Sequence, residues 1–261
     1  MSLTNDLKIL YRIAFHPIRG GTHKERLESF YKEQAEGYDA FRARLLHGRE
    51  EMFTRLPFLP DTRWADFGSG TGINLALAGD RARTLKQIYL IDLSPSLLAQ
   101  AQKRIQGDGW SNARTVEADA TTVKLPDISE QDTTPLDIAS FSYSLTMIPD
   151  WFAAIDRTYD LLKPGGTIGV ADFYVSRKHA DEDMKRHSSG SRSFWRYWFD
   201  QDNIYPSPDH LPYLRRKFET VNLYEGRGTV PYLPGARIPY YTFIGRKPTD
   251  DIARTSQIDN S

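Results

Sequence analysis

Residues 64–72 read Trp-Ala-Asp-Phe-Gly-Ser-Gly-Thr-Gly, and no other stretch limits the fold as much. A short apolar run closes on Asp66, glycines follow at 68, 70 and 72, and an apolar helical pattern starts at Ile73. Three glycines between a strand and a helix let the backbone turn tightly and leave it bare enough for a ligand to lie against it. Strand and helix patterns then alternate. Strands are expected at 63–67, 87–92, 113–118, 136–143 and 167–173, with closing strands at 218–224 and 239–245. Between them, helices are expected from Ile73, from Pro95 to about Gln106 behind the N-cap Ser94, and from Trp151 to Leu162. Lys163-Pro164-Gly165-Gly166 stops the last of these. This pattern predicts an α/β fold: a doubly wound, mostly parallel, seven-stranded sheet.

The core is expected over 63–247, with an insertion at 174–217 that is too long for an ordinary connection and reads as a lid. Residues 1–62 read as helices capping the substrate or a membrane. One covers 3–15, where Leu3, Leu7, Leu10, Ile13 and Ala14 recur at helical spacing. His16-Pro17 ends it. Others are expected at 23–36 and from Asp39 to Leu56. Residues 248–261 are polar and pattern-free, which predicts a disordered tail.

Lys and Arg number 34 against 34 Asp and Glu, so bulk charge gives no reason to expect a nucleic-acid partner. The absence of cysteine removes disulfides, thiolate zinc sites and thiol nucleophiles. No metal is expected: His179, His187 and His210 lack ligand spacing, and His179 and His187 read as surface histidines in a loop. No apolar run reaches the ~20 residues of a membrane span, and the N-terminus lacks a signal-peptide core. The expected location is the cytoplasm, with a membrane surface as a candidate peripheral site.

Three acids end three consecutive strands: Asp66, Asp92 and Asp119. Open α/β sheets bind ligands outside the carboxyl ends of their strands. Asp92 follows Gly72 by twenty positions, where an acid can accept both ribose hydroxyls of an adenosine. Asp119 can accept from an adenine amino group, or can serve only its own turn. A dinucleotide turn wants a glycine where Ile73 stands, which disfavours a nicotinamide oxidoreductase. The spacing Asp-x-Gly-x-Gly-x-Gly, the strand-end acids and Lys163–Gly166 resemble the class I S-adenosylmethionine methyltransferases. That resemblance implies S-adenosylmethionine as cofactor. It implies that Gly68, Ser69 and Gly70 approach the methionine part, with Gly72 and Asn74 completing the turn. Asp66 would orient the amino group, directly or through water. Asp92 and Leu93 would hold the ribose, Asp119 and Ala120 the adenine, and the Ser142 backbone would contact the cofactor.

The flanks narrow the resemblance. Phe30-Tyr31 through Tyr38-Asp39, His47–Glu50, Ser142–Trp151, Asp172–Ser176, Ser207–Leu214 and Val230–Pro234 are similar to the N-methyltransferase of betaine-lipid synthesis, over about residues 20–247. The reaction so implied is three methylations of one nitrogen, from diacylglyceryl homoserine to diacylglyceryl trimethylhomoserine. The amine must arrive neutral, since an ammonium has no lone pair, and the protein must align it and exclude water. Many relatives carry a histidine where Met147 stands, so Tyr31, Tyr38 and Tyr143 are the candidate catalytic groups. Their hydroxyls can orient the nitrogen, and their rings can stabilise positive charge.

The implied partner is a lipid with a primary-amine headgroup, together with the enzyme that makes the homoserine lipid. A membrane surface would be met by Lys8, Arg12 and Arg19, with Trp195 and Trp198 at the interface. The alternative is that Leu7, Leu10, Phe15 and the tryptophans pack on the domain. Phosphatidylethanolamine N-methylation, small-molecule methylation and a non-catalytic membrane-docking partner of a lipid enzyme stay open as other functions.

Overall fold

A computed structural model of the protein describes residues 21–22, 25, 44–125, 135–200, 204–231 and 235–249. Seven strands form one sheet: β1 Arg63–Phe67, β2 Gln87–Asp92, β3 Ala113–Glu117, β4 Leu136–Ser142, β5 Leu162–Phe173, β6 Glu219–Thr229 and β7 Arg237–Arg246. Their order is β3-β2-β1-β4-β5-β7-β6. Only β7 runs antiparallel to its neighbours β5 and β6. The chain order reverses between β1 and β4, which opens a crevice at their carboxyl ends.

Among the described residues six α-helices accompany the strands: α1 Arg49–Arg55, α2 Asn74–Ala78, α3 Pro95–Gly107, α4 Trp151–Leu161, α5 Ser189–Asp200 and α6 His210–Lys217. Pleating sends alternate residues to opposite faces. Ala65, Phe67, Tyr89, Ile91 and Phe141 face one side, where Ala154 and Ile155 of α4 cover them. Trp64, Ile88, Leu90 and Ile138 face the other, against Ala101 and Ile105 of α3 and Met52 and Phe53 of α1. Thr22 Oγ1 accepts from the Glu25 N–H while the Glu25 carboxylate accepts from the Thr22 N–H; the rest of the helix expected at 23–36 lies outside the described residues. The helix at 3–15 and nearly all of the tail lie outside the described residues.

Four expectations change. The helix predicted from Asp39 to Leu56 is interrupted at His47-Gly48. Gly48 has φ 76°, and a Cβ there would lie 2.6 Å from Thr242 Cγ2 of β7. Lys163–Gly166 belongs to β5 rather than to a loop, because Gly165 and Gly166 exchange backbone bonds with Lys247. The closing hairpin extends to Thr229, past the expected end at Tyr224. Finally, His187, expected at the surface, is core, and of the two readings open for Trp195 the packed one holds. Trp195 is 4% exposed, and its ring packs on Phe194 and Phe199. His187 and His210 are likewise buried. The segment 174–217 is thus a packed part of the domain, contributing α5 and α6.

Candidate functional site

The turn after β1 is pinned to the end of β2: Gly68 N–H and Ser69 N–H both donate to Ile91 O, at 2.8 and 3.0 Å. Gly68 is required by a close approach. Its φ is 69°, and a Cβ would stand 2.3 Å from Ser144 Cβ. Ser144 Oγ in turn donates to Phe67 O at 2.7 Å, drawing the loops after β1 and β4 together. Gly70 differs: a Cβ there would meet nothing within 4 Å, so its bare backbone faces open space. Its N–H donates to Asp92 Oδ2 at 2.8 Å, while Asp92 Oδ1 accepts from Ser94 N–H at 2.9 Å. The glycine turn and the strand-end acid are therefore one unit.

This unit forms one wall of a cavity of about 250 Å3 at the carboxyl edge of the sheet. Of the predicted residues, Gly68, Gly70, Asp92, Leu93, Asp119, Ala120 and Tyr143 line it. Asp119 Oδ1 accepts from Thr121 N–H at 2.8 Å and Thr121 Oγ1 at 2.7 Å, so it stabilises its own turn while lining the cavity. Several wall residues were not expected: Ile91 and Leu97 on one side, and Ser144, Met147, Ile148, Pro149 and Asp150 on the other. Their signal in the sequence was position, directly after β4, and apolar character suited to a flat aromatic ligand.

Asp66, Ser69, Gly72, Asn74 and Ser142 stand outside the wall. Asp66 is fully buried behind the glycine turn. Its Oδ1 accepts from Ser140 Oγ at 2.6 Å and its Oδ2 from Asn74 Nδ2 at 2.8 Å. Burial pushes its carboxyl up to about 6, against these two hydrogen bonds. Asp66 thus braces the turn from beneath through Ser140 and Asn74. Gly72 lets the turn pack closely, since a Cβ would lie 3.1 Å from Leu90 Cδ1 and 3.2 Å from Ala101 Cβ. Ser69 Oγ and Ser142 Oγ are buried without a hydrogen-bond partner among the described residues. Such orphaned atoms beside a bare glycine turn fit a polar ligand.

Tyr143 closes β4 with φ 57°, a left-handed conformation that a tyrosine adopts only under constraint. Its N–H donates to Ala171 O at 2.7 Å, its hydroxyl donates to His47 O at 2.6 Å, and its ring meets Phe173 edge-on at 4.5 Å. Tyr31 and Tyr38 lie outside the described residues. Behind the same wall, buried Asp172 accepts from Thr146 N–H and Oγ1 at 3.1 and 2.8 Å, fixing the turn that carries Met147. Burial pushes the Asp172 carboxyl up to about 7. His187 is held neutral, burial lowering it to about 4. Its Nδ1 accepts from Ser176 N–H at 3.0 Å. Burial also lowers His210, to about 3. No group of three acidic, histidine or cysteine residues suited to a metal ion occurs among the described residues.

Comparison with known proteins gives this geometry a family. The chain is 30% identical over 106 residues to the aklanonic acid methyltransferase of Streptomyces sp., covering 41% of this chain and 46% of that one. It is 19% identical over 150 residues to the demethylmenaquinone methyltransferase of Geobacillus sp., covering 56% and 62%. The matches thus span about half the length of these curated relatives. Among solved structures, the phosphoethanolamine N-methyltransferase 2 of Haemonchus contortus, in complex with phosphomonomethylethanolamine and S-adenosylhomocysteine, shares the fold. Its TM-score is 0.55 at 17% identity, over 81% of this chain and 53% of that one. The model of the methyltransferase domain family matches residues 31–224. With the β3-β2-β1-β4-β5-β7-β6 sheet and its glycine turn, that match shows that the chain belongs to the methyltransferase domain family.

Proposed function

We propose that the chain is an S-adenosylmethionine-dependent N-methyltransferase acting on the amino group of a lipid headgroup, with diacylglyceryl homoserine as substrate and diacylglyceryl trimethylhomoserine as product. The observation that carries the amine is the charge of the cavity. Its charged described lining residues are Asp92, Asp119 and Asp150, and no Lys, Arg or His is among them. Asp92 and Asp119 serve the adenosine part of the cofactor in this reading, which leaves Asp150, also the cap of α4 through the Ala153 N–H, as the carboxylate that favours an acceptor developing positive charge. The headgroup itself rests on the resemblance of the flanking segments.

The residues present fit the cofactor. The bare Gly70 backbone and the orphaned Ser69 Oγ suit its methionine part, Asp92 its ribose, and Leu93, Leu97 and Ile148 the faces of its adenine. When bound, S-adenosylmethionine supplies an electrophilic methyl group. The chain's own part is placement and exclusion. Tyr143 presents an aromatic ring held by the His47 carbonyl and Phe173, which stabilises positive charge growing on nitrogen. Met147, Ile148 and Pro149 keep water from the reacting side.

The test is methyl transfer from labelled S-adenosylmethionine into vesicles containing diacylglyceryl homoserine or phosphatidylethanolamine, with products identified by mass. Mono-, di- and trimethylated homoserine lipid is the expected result. Label only on phosphatidylethanolamine moves the substrate to a phospholipid. Label on neither, with cofactor bound, overturns the lipid reading in favour of soluble acceptors, the chemistry named for the Streptomyces relative.

A further inference from the structure

The loop after β4 supplies the reacting side of the cavity, and it is held from the end of β5. Tyr143, Ser144 and Met147 line the cavity, and Tyr143 stands in the left-handed region at φ 57°. A strained residue persists only where its surroundings over-determine it. Two consecutive residues of β5 do so here. Ala171 O accepts from the Tyr143 N–H at 2.7 Å, and Asp172 holds Thr146, three residues further on. Thr146 is engaged from a third direction, its carbonyl accepting from the Tyr205 N–H at 2.8 Å.

Asp172 is matched to this task by its charge pattern. Its Oδ1 accepts from Thr146 Oγ1 and from the Phe173 N–H, each at 2.8 Å, and its Oδ2 accepts from the Thr146 N–H at 3.1 Å. Both oxygens are thus in use, and the side chain is fully buried. A carboxylate accepts at both oxygens, whereas a carboxamide accepts at one and turns N–H groups toward the other donor. Burying an acid is costly unless it is hydrogen-bonded, so three converging donors mark a place built for one.

The cofactor side of the cavity is held by other bonds. Gly68 and Ser69 donate to Ile91 O, and Gly70 donates to Asp92. On the reading of this cavity as the methyl-transfer site, we infer that Asp172 is a positioning residue for the methyl acceptor. It acts through Thr146 to fix Tyr143 and Met147 against the acceptor, and the glycine turn keeps its shape without it.

The experiment compares full-length wild type with Asp172→Asn, Thr146→Val and Thr146→Ser. In methylation of detergent-dispersed diacylglyceryl homoserine, Asp172→Asn is expected to lower kcat by about 10- to 100-fold. Thr146→Val is expected to lose less, and Thr146→Ser, which keeps the hydroxyl, to stay near wild type. Affinity for S-adenosylhomocysteine, measured by calorimetry, is expected to change little in all three, which also shows that each is folded. Hydrogen exchange gives a readout that needs no acceptor. Residues 143–148 are expected to exchange faster in Asp172→Asn and in Thr146→Val than in wild type, with 67–72 unchanged. Equal exchange over 143–148 overturns the inference. So does a loss of cofactor affinity as large as the loss of rate, or a Thr146→Ser variant as slow as Thr146→Val. Wild type that leaves this lipid unmethylated overturns the substrate reading alone, and the exchange result then decides the role of Asp172.

Discussion

Asp92 illustrates how one residue joins local structure to the site. Its two carboxylate oxygens accept from Gly70 and Ser94 backbone N–H groups, so the acid is oriented before any ligand arrives. Charge-assisted hydrogen bonds are worth more than neutral ones. Asp92→Asn is therefore expected to weaken S-adenosylmethionine binding by about 10- to 100-fold in calorimetry; unchanged affinity would remove Asp92 from the cofactor site. Asp172 and Asp66 are set by burial, which holds their carboxyls up at about 7 and about 6. In the unfolded chain they titrate near about 3.9. The folded chain thus binds more protons between about pH 4 and about pH 7, and stability falls as pH rises through that window. Urea unfolding is expected to show wild type losing stability relative to Asp172→Asn from about pH 4 to about pH 7. Curves that stay parallel would mean that the buried carboxyl is ionised throughout.

Elements were legible where their signals were local. Ser94-Pro95 announced α3, and Ser94 Oγ indeed accepts from the Leu97 N–H at 3.3 Å. Ser94→Ala is expected to cost about 1 kcal/mol by chemical denaturation, and a loss near zero would show the cap to be idle. The break at His47-Gly48 was not legible, because its cause lies in β7: Thr242 and Tyr240 occupy the space beside Gly48. Lys163–Gly166 misled in the same way. A Pro-Gly-Gly run reads as a stop, yet Lys247 supplies partners that make it strand. Gly68 belongs to both classes. Its place in a turn was visible, but the neighbour that demands glycine, Ser144, lies on another loop. Gly68→Ala is expected to destabilise the fold by about 2 kcal/mol or more through strain and the clash, and to abolish cofactor binding. A stable, cofactor-binding variant would show that the two loops separate without cost.

Across the whole molecule, stability rests on two half-cores divided by the sheet. Phe141, on central strand β4, is fully buried and stacks on Phe67 at 5.0 Å. Phe141→Ala is expected to cost about 3–5 kcal/mol, whereas Val221→Ala, at 56% exposure on edge strand β6, should stay within about 0.5 kcal/mol of wild type. Equal losses would contradict the division into core and edge. No helix among the described residues is long and apolar enough to cross a membrane.

The sequence by itself determined the alternation of elements, the bare turn at 68–72 and the acids at three strand ends, because propensity, pleat and turn chemistry act between near neighbours. Tertiary structure decided the rest. It inserted β7 antiparallel between β5 and β6 and tied Asp66 to Ser140 and Asn74 beneath the turn. It buried Trp195 while leaving Trp198 40% exposed and forced Tyr143 into a left-handed conformation at the cavity wall. Each of these depends on which distant surface comes to lie against a residue, and that is set only when the sheet has closed and the helices have packed upon it.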